Sequence, residues 1–148
     1  MILVSACLCG QPCRYDGRSK SHPRFMNCQA RDGVLPICPE QLGGLSTPRT
    51  ACSLVGGDGA DVLAGRATVV DRFGADRTQA FIQGARRTLE MAEDHGIRRC
   101  CLKAKSPSCG SATLRLPADG AWPQGYRPVL GVTAALLLAH GMQIEEIP

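Results

Sequence analysis

The stretch Lys103-Ala-Lys-Ser-Pro-Ser-Cys109-Gly110-Ser111 follows an apolar patch (Ile97, Cys100, Cys101, Leu102) that reads as the end of a buried strand. It places a thiol between a glycine and small hydroxyl residues. A thiolate there has room to approach a non-protein group, with backbone N–H groups and hydroxyls close by. The loop at a strand end is also where open α/β sheets bind ligands. Two other stretches have the same form, Ser5-Ala-Cys7-Leu-Cys9-Gly-Gln-Pro-Cys13 and Pro36-Ile-Cys38-Pro-Glu40. If the three strand-like segments are parallel neighbours, Cys7, Cys38 and Cys109 lie on one edge of the sheet.

Three thiolates on a [4Fe–4S] cluster leave one iron without a protein ligand, able to act as a Lewis acid on a soft atom such as sulfur. A structural zinc site would want a closed set of four ligands. The cysteine spacing itself contains no C-x2-C pair and leaves three readings open. These are metal or cluster binding, thiol chemistry with Cys109 as a nucleophile activated by Lys103 or Lys105, and plain packing of a small apolar residue.

The rest of the composition narrows the setting. A chain of 148 residues with 44% hydrophobic and 20% charged residues suits one soluble domain, spanning 1–148. Aromatic residues make up only 4%, too few for the stacking platforms of a single-strand nucleic-acid reader. The formal charge of +4 is spread along the chain and fits attraction to a small anion better than binding to a nucleic-acid polymer. No charged n-region and apolar run of signal-peptide form opens the sequence, and no apolar stretch is long enough to cross a bilayer. The expectation is a cytoplasmic protein, in a compartment where nine cysteines would stay reduced.

The elements that must position the thiols follow from periodicity. Ile2 to Ala6 reads as a first buried strand, and Val34 to Cys38 as a second, with Pro36 awkward in a central position. Tyr15-Asp16-Gly17 reads as a turn. In the stretch from Ser21 to Arg31, Phe25, Met26 and Cys28 fit one face of a short helix. A small hairpin is expected between Asp61 and Val70, turning at Ala64-Gly65. The strongest helix runs from Asp76 or Thr78 to His95, with Phe81, Ile82, Ala85, Leu89 and Ala92 at helical spacing and Gly96 as its stop. Ile97 to Lys103 returns as a strand, Leu114 to Arg127 is irregular, Val132 to His140 is a second helix, and Met142 to Ile147 a last strand. Strands alternating with helices predict an α/β fold: a single small domain, with a mainly parallel sheet flanked by helices in a Rossmann-like manner.

Three blocks together resemble the signature of one family. They are Ser5-Ala-Cys7-Leu-x-Gly-x-x-Cys13-Arg-Tyr-Asp-Gly17, Cys38-Pro-Glu-x-Leu-Gly-Gly-Leu-x-Thr-Pro-Arg49 and Lys103-x-x-Ser-Pro-Ser-Cys-Gly110. Gly56-Gly-Asp-Gly59 and Gly131-Val-Thr-Ala-Ala-Leu-Leu137 continue the likeness in the same order over nearly the whole chain. The sequence is similar to the small bacterial family that contains the thiouracil desulfidases. That resemblance implies a [4Fe–4S] cluster on three cysteines, whose free iron binds the sulfur of a thiolated uracil. Water then replaces the sulfur, and hydrosulfide leaves without net redox change. Carried onto this chain, the cluster ligands match Cys7, Cys38 and Cys109, with Cys13 in the same block as Cys7.

Such a reaction needs a group that moves protons. Glu40 and Asp16 are the candidate carboxylates, and a strand-like backbone would point Cys38 and Glu40 the same way. Ser106, Ser108 and Ser111 are candidates for the uracil edge or the cluster sulfides, with Ser106 closest to the catalytic role. Lys103, Arg14 and Arg49 are candidates for a substrate phosphate or developing negative charge. Ser53 stands where an acid is expected after the Thr-Pro-Arg block. If that acid is the family's base, the role here falls to Glu40. Cys28, Cys52, Cys100 and Cys101 read as packing residues. Glu40 and Asp16 each have a plain alternative, as a cap and as a turn residue.

Overall fold

The computed structural model of the chain describes residues 1–28, 32–110 and 129–148. Four short strands form one parallel sheet: β1 (Ile2–Ser5), β2 (Val34–Ile37), β5 (Arg99–Lys103) and β6 (Gln143–Ile147), in the order β2-β1-β5-β6. A second sheet pairs β3 (Cys52–Val55) with β4 (Thr68–Asp71) antiparallel. Among the described residues there are four α-helices: α1 (Pro39–Leu42), α2 (Gly59–Leu63), α3 (Thr78–Asp94) and α4 (Val132–Ala139). This is the expected α/β architecture with a mainly parallel sheet.

The inner strands are apolar on both faces, as a covered parallel sheet requires: Leu3, Val4, Cys100, Cys101 and Leu102 are all buried. β1 is central, and its Val4 sits opposite Pro36 on one side and Cys101 on the other. Pro36 is tolerated because β2 is an edge strand, where a missing N–H costs no ladder bond on the outer side. α3 buries Phe81, Gly84, Ala85, Thr88 and Ala92, close to the expected stripe, and ends at His95, ahead of Gly96 in the left-handed region (φ +63°). Its first turn differs from expectation. Arg77 occupies the cap position without a side-chain bond, while the Asp76 carboxylate accepts the Thr78 N–H at 2.8 Å. The Thr78 hydroxyl accepts from the Val69 N–H at 2.9 Å instead, tying the helix start to β4.

Three expectations are corrected. The region 61–70 is not a hairpin: residues 59–63 form α2, and β4 pairs back to β3. The cause is a reciprocal cap, in which the Asp58 carboxylate accepts from the Ala60 and Asp61 N–H groups and the Asp61 carboxylate accepts from the Asp58 N–H. Residues 23–27 turn rather than forming a helix. Phe25 is buried, whereas Met26 is 55% exposed, so the two do not share a packed face. Cys38 and Glu40 do not lie along one strand either, because Cys38 is the last extended residue and Pro39 opens α1.

α1 reaches its place through a close backbone contact with α3. A Cβ on Gly84 would stand 2.0 Å from the Pro39 carbonyl oxygen, and one on Gly43 would stand 2.0 Å from the Ala80 carbonyl oxygen. α4 is apolar nearly all round and buries Val132, Thr133, Ala134, Ala135 and Leu137. Among the described residues no helix is long and apolar enough to cross a membrane.

Candidate active site

The carboxyl ends of β1, β2 and β5 open onto one cavity of about 630 Å³. β1 delivers Cys7 through a tight 3-10 turn, Ala6–Cys9, which ends at Gly10. β2 delivers Cys38, and α1 then brings Glu40 to the same wall. β5 delivers Lys103 and, after a turn, Cys109. That turn is built by Ser106, whose hydroxyl oxygen accepts the N–H groups of Ser108 and Cys109, both at 3.1 Å. It is then docked on α4: the Val132 N–H donates to the Pro107 carbonyl at 2.9 Å and the Ala134 N–H to the Ser108 carbonyl at 3.0 Å. Gly131 allows this approach, since a Cβ there would lie 2.5 Å from the Ser108 carbonyl.

A fourth thiol, Cys13, returns to the cavity wall beside Cys7 and Cys38, and its carbonyl accepts the Cys38 S–H at 3.6 Å. Its S–H holds the Cys7 thiol below its ordinary value, against burial. The same contact lowers Cys38 to about 6, against the opposing effect of burial and helped by the Gln41 N–H and the charge of Arg49. Cys13 is pushed up correspondingly, because two neighbouring sulfurs accept its proton. Burial pushes Cys109 up, with the Ser5 hydroxyl pulling the other way. Soft sulfur donors from three strand ends fit an iron–sulfur cluster, whose ligands must be thiolates. Among the described residues no three His, Cys, Asp or Glu side chains are placed to hold a single metal ion.

Glu40 is held at both oxygens. Arg49 Nε donates to Oε1 at 3.1 Å, and the buried Ser108 hydroxyl donates to Oε2 at 3.4 Å. Around the opening stand Arg14, Lys20, Lys103 and Lys105. Burial lowers the Lys103 ammonium from its ordinary value; the sulfur of Cys7 opposes this, and the other three cations add to the lowering.

Of the residues singled out from sequence, Cys7, Cys38, Cys109, Glu40, Ser106, Lys103, Arg14 and Arg49 line this cavity. Ser108 lies behind the wall, against Glu40. Asp16 is exposed and off the wall, its carboxylate accepting the Arg18 N–H at 3.0 Å, the behaviour of a turn residue. Ser53 is exposed and off the cavity, whereas its neighbour Cys52, read as packing, lines it. Ser111 and the stretch Leu114 to Arg127 lie outside the described residues. Sequence reasoning passed over Lys20, which follows the first block by three positions, and Ser5. Ser5 accepts the Lys103 N–H at 2.9 Å and its hydroxyl acts to lower the Cys109 thiol, and only its place directly before Ala-Cys7 hinted at this.

Comparison with known proteins agrees with this geometry. The chain is 39% identical over 144 residues to the uncharacterized protein YbbK of Bacillus subtilis (strain 168), covering 97% of this chain and 93% of that one. A solved structure of the [4Fe–4S]-dependent thiouracil desulfidase TudS superposes with a TM-score of 0.78 at 38% identity, covering 98% of this chain and 89% of that one. The family model for 2-thiouracil desulfurase matches residues 2–146. With that match over nearly its whole length, the chain belongs to the 2-thiouracil desulfurase family.

Proposed function

We propose that this protein is a [4Fe–4S]-dependent desulfidase that removes sulfur from a thiolated uracil, as the base or its nucleotide, and releases hydrosulfide without net redox change. The observation that carries the reading is the meeting of Cys7, Cys38 and Cys109 on one cavity wall with Glu40 beside them. In this reading Cys7, Cys38 and Cys109 hold the cluster as thiolates, and Cys13 stays alongside as a hydrogen-bond donor. When bound, the cluster supplies an iron without a protein ligand, a Lewis acid suited to the substrate's sulfur.

The chain's own residues do the rest. Glu40 takes a proton from the water that attacks the thiolated ring carbon and returns it as the carbon–sulfur bond breaks, so that thiocarbonyl and water become carbonyl and hydrogen sulfide. Ser106 accepts two backbone N–H groups, which leaves its O–H proton to donate to the uracil edge. Lys103 and Arg14, joined by Lys20 and Lys105, attract the anionic end of a nucleotide and offset negative charge on the departing sulfur. Asp16, spent in its turn, has no part in this scheme.

The test is iron and acid-labile sulfide in protein prepared without oxygen, followed by hydrosulfide release from thiouracil. About four of each per chain with turnover is the expected result. Zinc alone, or no metal with undiminished turnover, sinks the reading. One observation favours a second reading: Cys38, lowered to about 6, is the reactive-thiolate candidate in place of the buried Cys109. A thiol enzyme would turn over without metal and stop when Cys38 is alkylated.

A further inference from the structure

We infer that Arg49 is a positioning residue for Glu40 and contacts no substrate phosphate. The inference rests on the reading of Glu40 as the proton-moving group. The Arg49 guanidinium lies on the cavity wall, yet its side chain is only 7% exposed. Its donors are already committed. Nε donates to Glu40 Oε1 at 3.1 Å, Nη1 to the Ser46 carbonyl at 3.2 Å and the Thr47 hydroxyl at 2.8 Å, and Nη2 to the Cys13 carbonyl at 3.0 Å.

A guanidinium has five N–H groups in a fixed fork, so four of them are spent inside the protein. A phosphate would have to break several of these bonds to gain a two-pronged contact. The cations that can meet an anion without such a loss include Lys20 and Lys105, which are exposed at the opening, and Arg14 on the same wall. The Arg49 backbone is fixed as well, its N–H donating to the Tyr15 carbonyl at 2.8 Å.

What the fork does instead is tie three segments at one point: the Cys13 turn, the start of α1 with Glu40, and the 46–49 loop, which also touch through the Cys38–Cys13, Gln41–Thr47 and Arg49–Tyr15 hydrogen bonds. It fixes one carboxylate oxygen while Ser108 fixes the other, so Glu40 keeps one orientation relative to Cys38 and Cys109. A planar fork is needed for this, because a lysine ammonium cannot reach a carboxylate, a hydroxyl and two carbonyls from one position.

The test is steady-state kinetics on cluster-loaded protein with two substrates, thiouracil and thiouridine monophosphate. Arg49→Lys, Arg49→Ala and Glu40→Gln are compared, with iron per chain measured on every preparation. Both Arg49 variants are expected to keep their iron and lose roughly a hundredfold in kcat on both substrates, with KM nearly unchanged. Added guanidinium is expected to restore part of kcat to Arg49→Ala. A rise in KM confined to the nucleotide overturns the inference and makes Arg49 a phosphate ligand. Unchanged kcat overturns it, and so does loss of iron from both variants, which would make Arg49 a scaffold residue only. If Arg49→Ala does not fold, Arg49→Lys decides. Glu40→Gln with undiminished turnover is a separate failure, that of the acid–base reading itself.

Discussion

The body of β5 and the ends of β1 and β2 each carry cysteines, and the two places shift the same side chain in opposite directions. Cys100 and Cys101 sit within the strand, nearly inaccessible. Cys100 is pushed up to about 11 by burial and its S–H points at the Met142 sulfur 4.0 Å away. Cys101 is raised as well, by burial and by the Glu145 carboxylate that accepts its S–H at 3.7 Å. Such thiols behave as small apolar side chains. At the strand ends, Cys7 and Cys38 meet a third S–H and are lowered instead. Leaving the sheet does not by itself lower a thiol: Cys109, beyond the end of β5, is pushed up by burial as Cys100 is.

The comparison can be broken most sharply by exchanging serine for the edge thiols. Cys38→Ser is expected to abolish turnover and iron retention measured in protein prepared without oxygen, whereas Cys101→Ser keeps both. Gly84→Ala tests whether the edge depends on the backbone contact beneath it. The new methyl group meets the Pro39 carbonyl, forces α1 off α3, and is expected to cost about 1–3 kcal/mol in a denaturant melt together with most of the activity. Cys100→Ala leaves a small void in the body, expected at about 1 kcal/mol, with turnover per iron unchanged.

The smallest effect is one of order. In metal-free protein titrated with iodoacetamide, Cys38 is expected to label first, because its thiolate form is half populated at about pH 6 and predominates by neutral pH. Its labelling rate levels off by neutral pH, while Cys100 stays protonated until about pH 11 and resists throughout. Labelling of Cys100 alongside Cys38, followed by peptide mapping, would erase the distinction between the two regions.

Much of this organisation can be read from residues alone, and the failures have physical causes. Short β-branched and leucine-rich runs betray β1, β2 and β5, and helical spacing betrays α3, because burial imposes a period on local sequence. The convergence of Cys7, Cys38 and Cys109 requires strand order, which no local pattern encodes. Val62-Leu63 looks like half of a hairpin, and only the reciprocal bonds of Asp58 and Asp61 make it helix. Glu40 comes to the cavity, but by the turn of a helix that begins at Pro39 and not by strand alternation. Arg49 looks like a phosphate ligand until its four donors are followed to their acceptors. Ser5 acts through its bond to the Lys103 N–H, far along the chain, and such a partner leaves no trace in spacing.

The docking of the Cys109 turn on α4 has a consequence in time. Cys7 and Cys38 come from the first third of the chain, but the turn bearing Cys109 is held by the N–H groups of Gly131, Val132 and Ala134. Its root, at Ala104, is bonded to the carbonyl of Ile147. A nascent chain that has delivered every cysteine therefore still lacks the third corner of its site. The Cys109 wall of the cavity takes shape only with residues 131–147 in place, however early Cys7 and Cys38 are made.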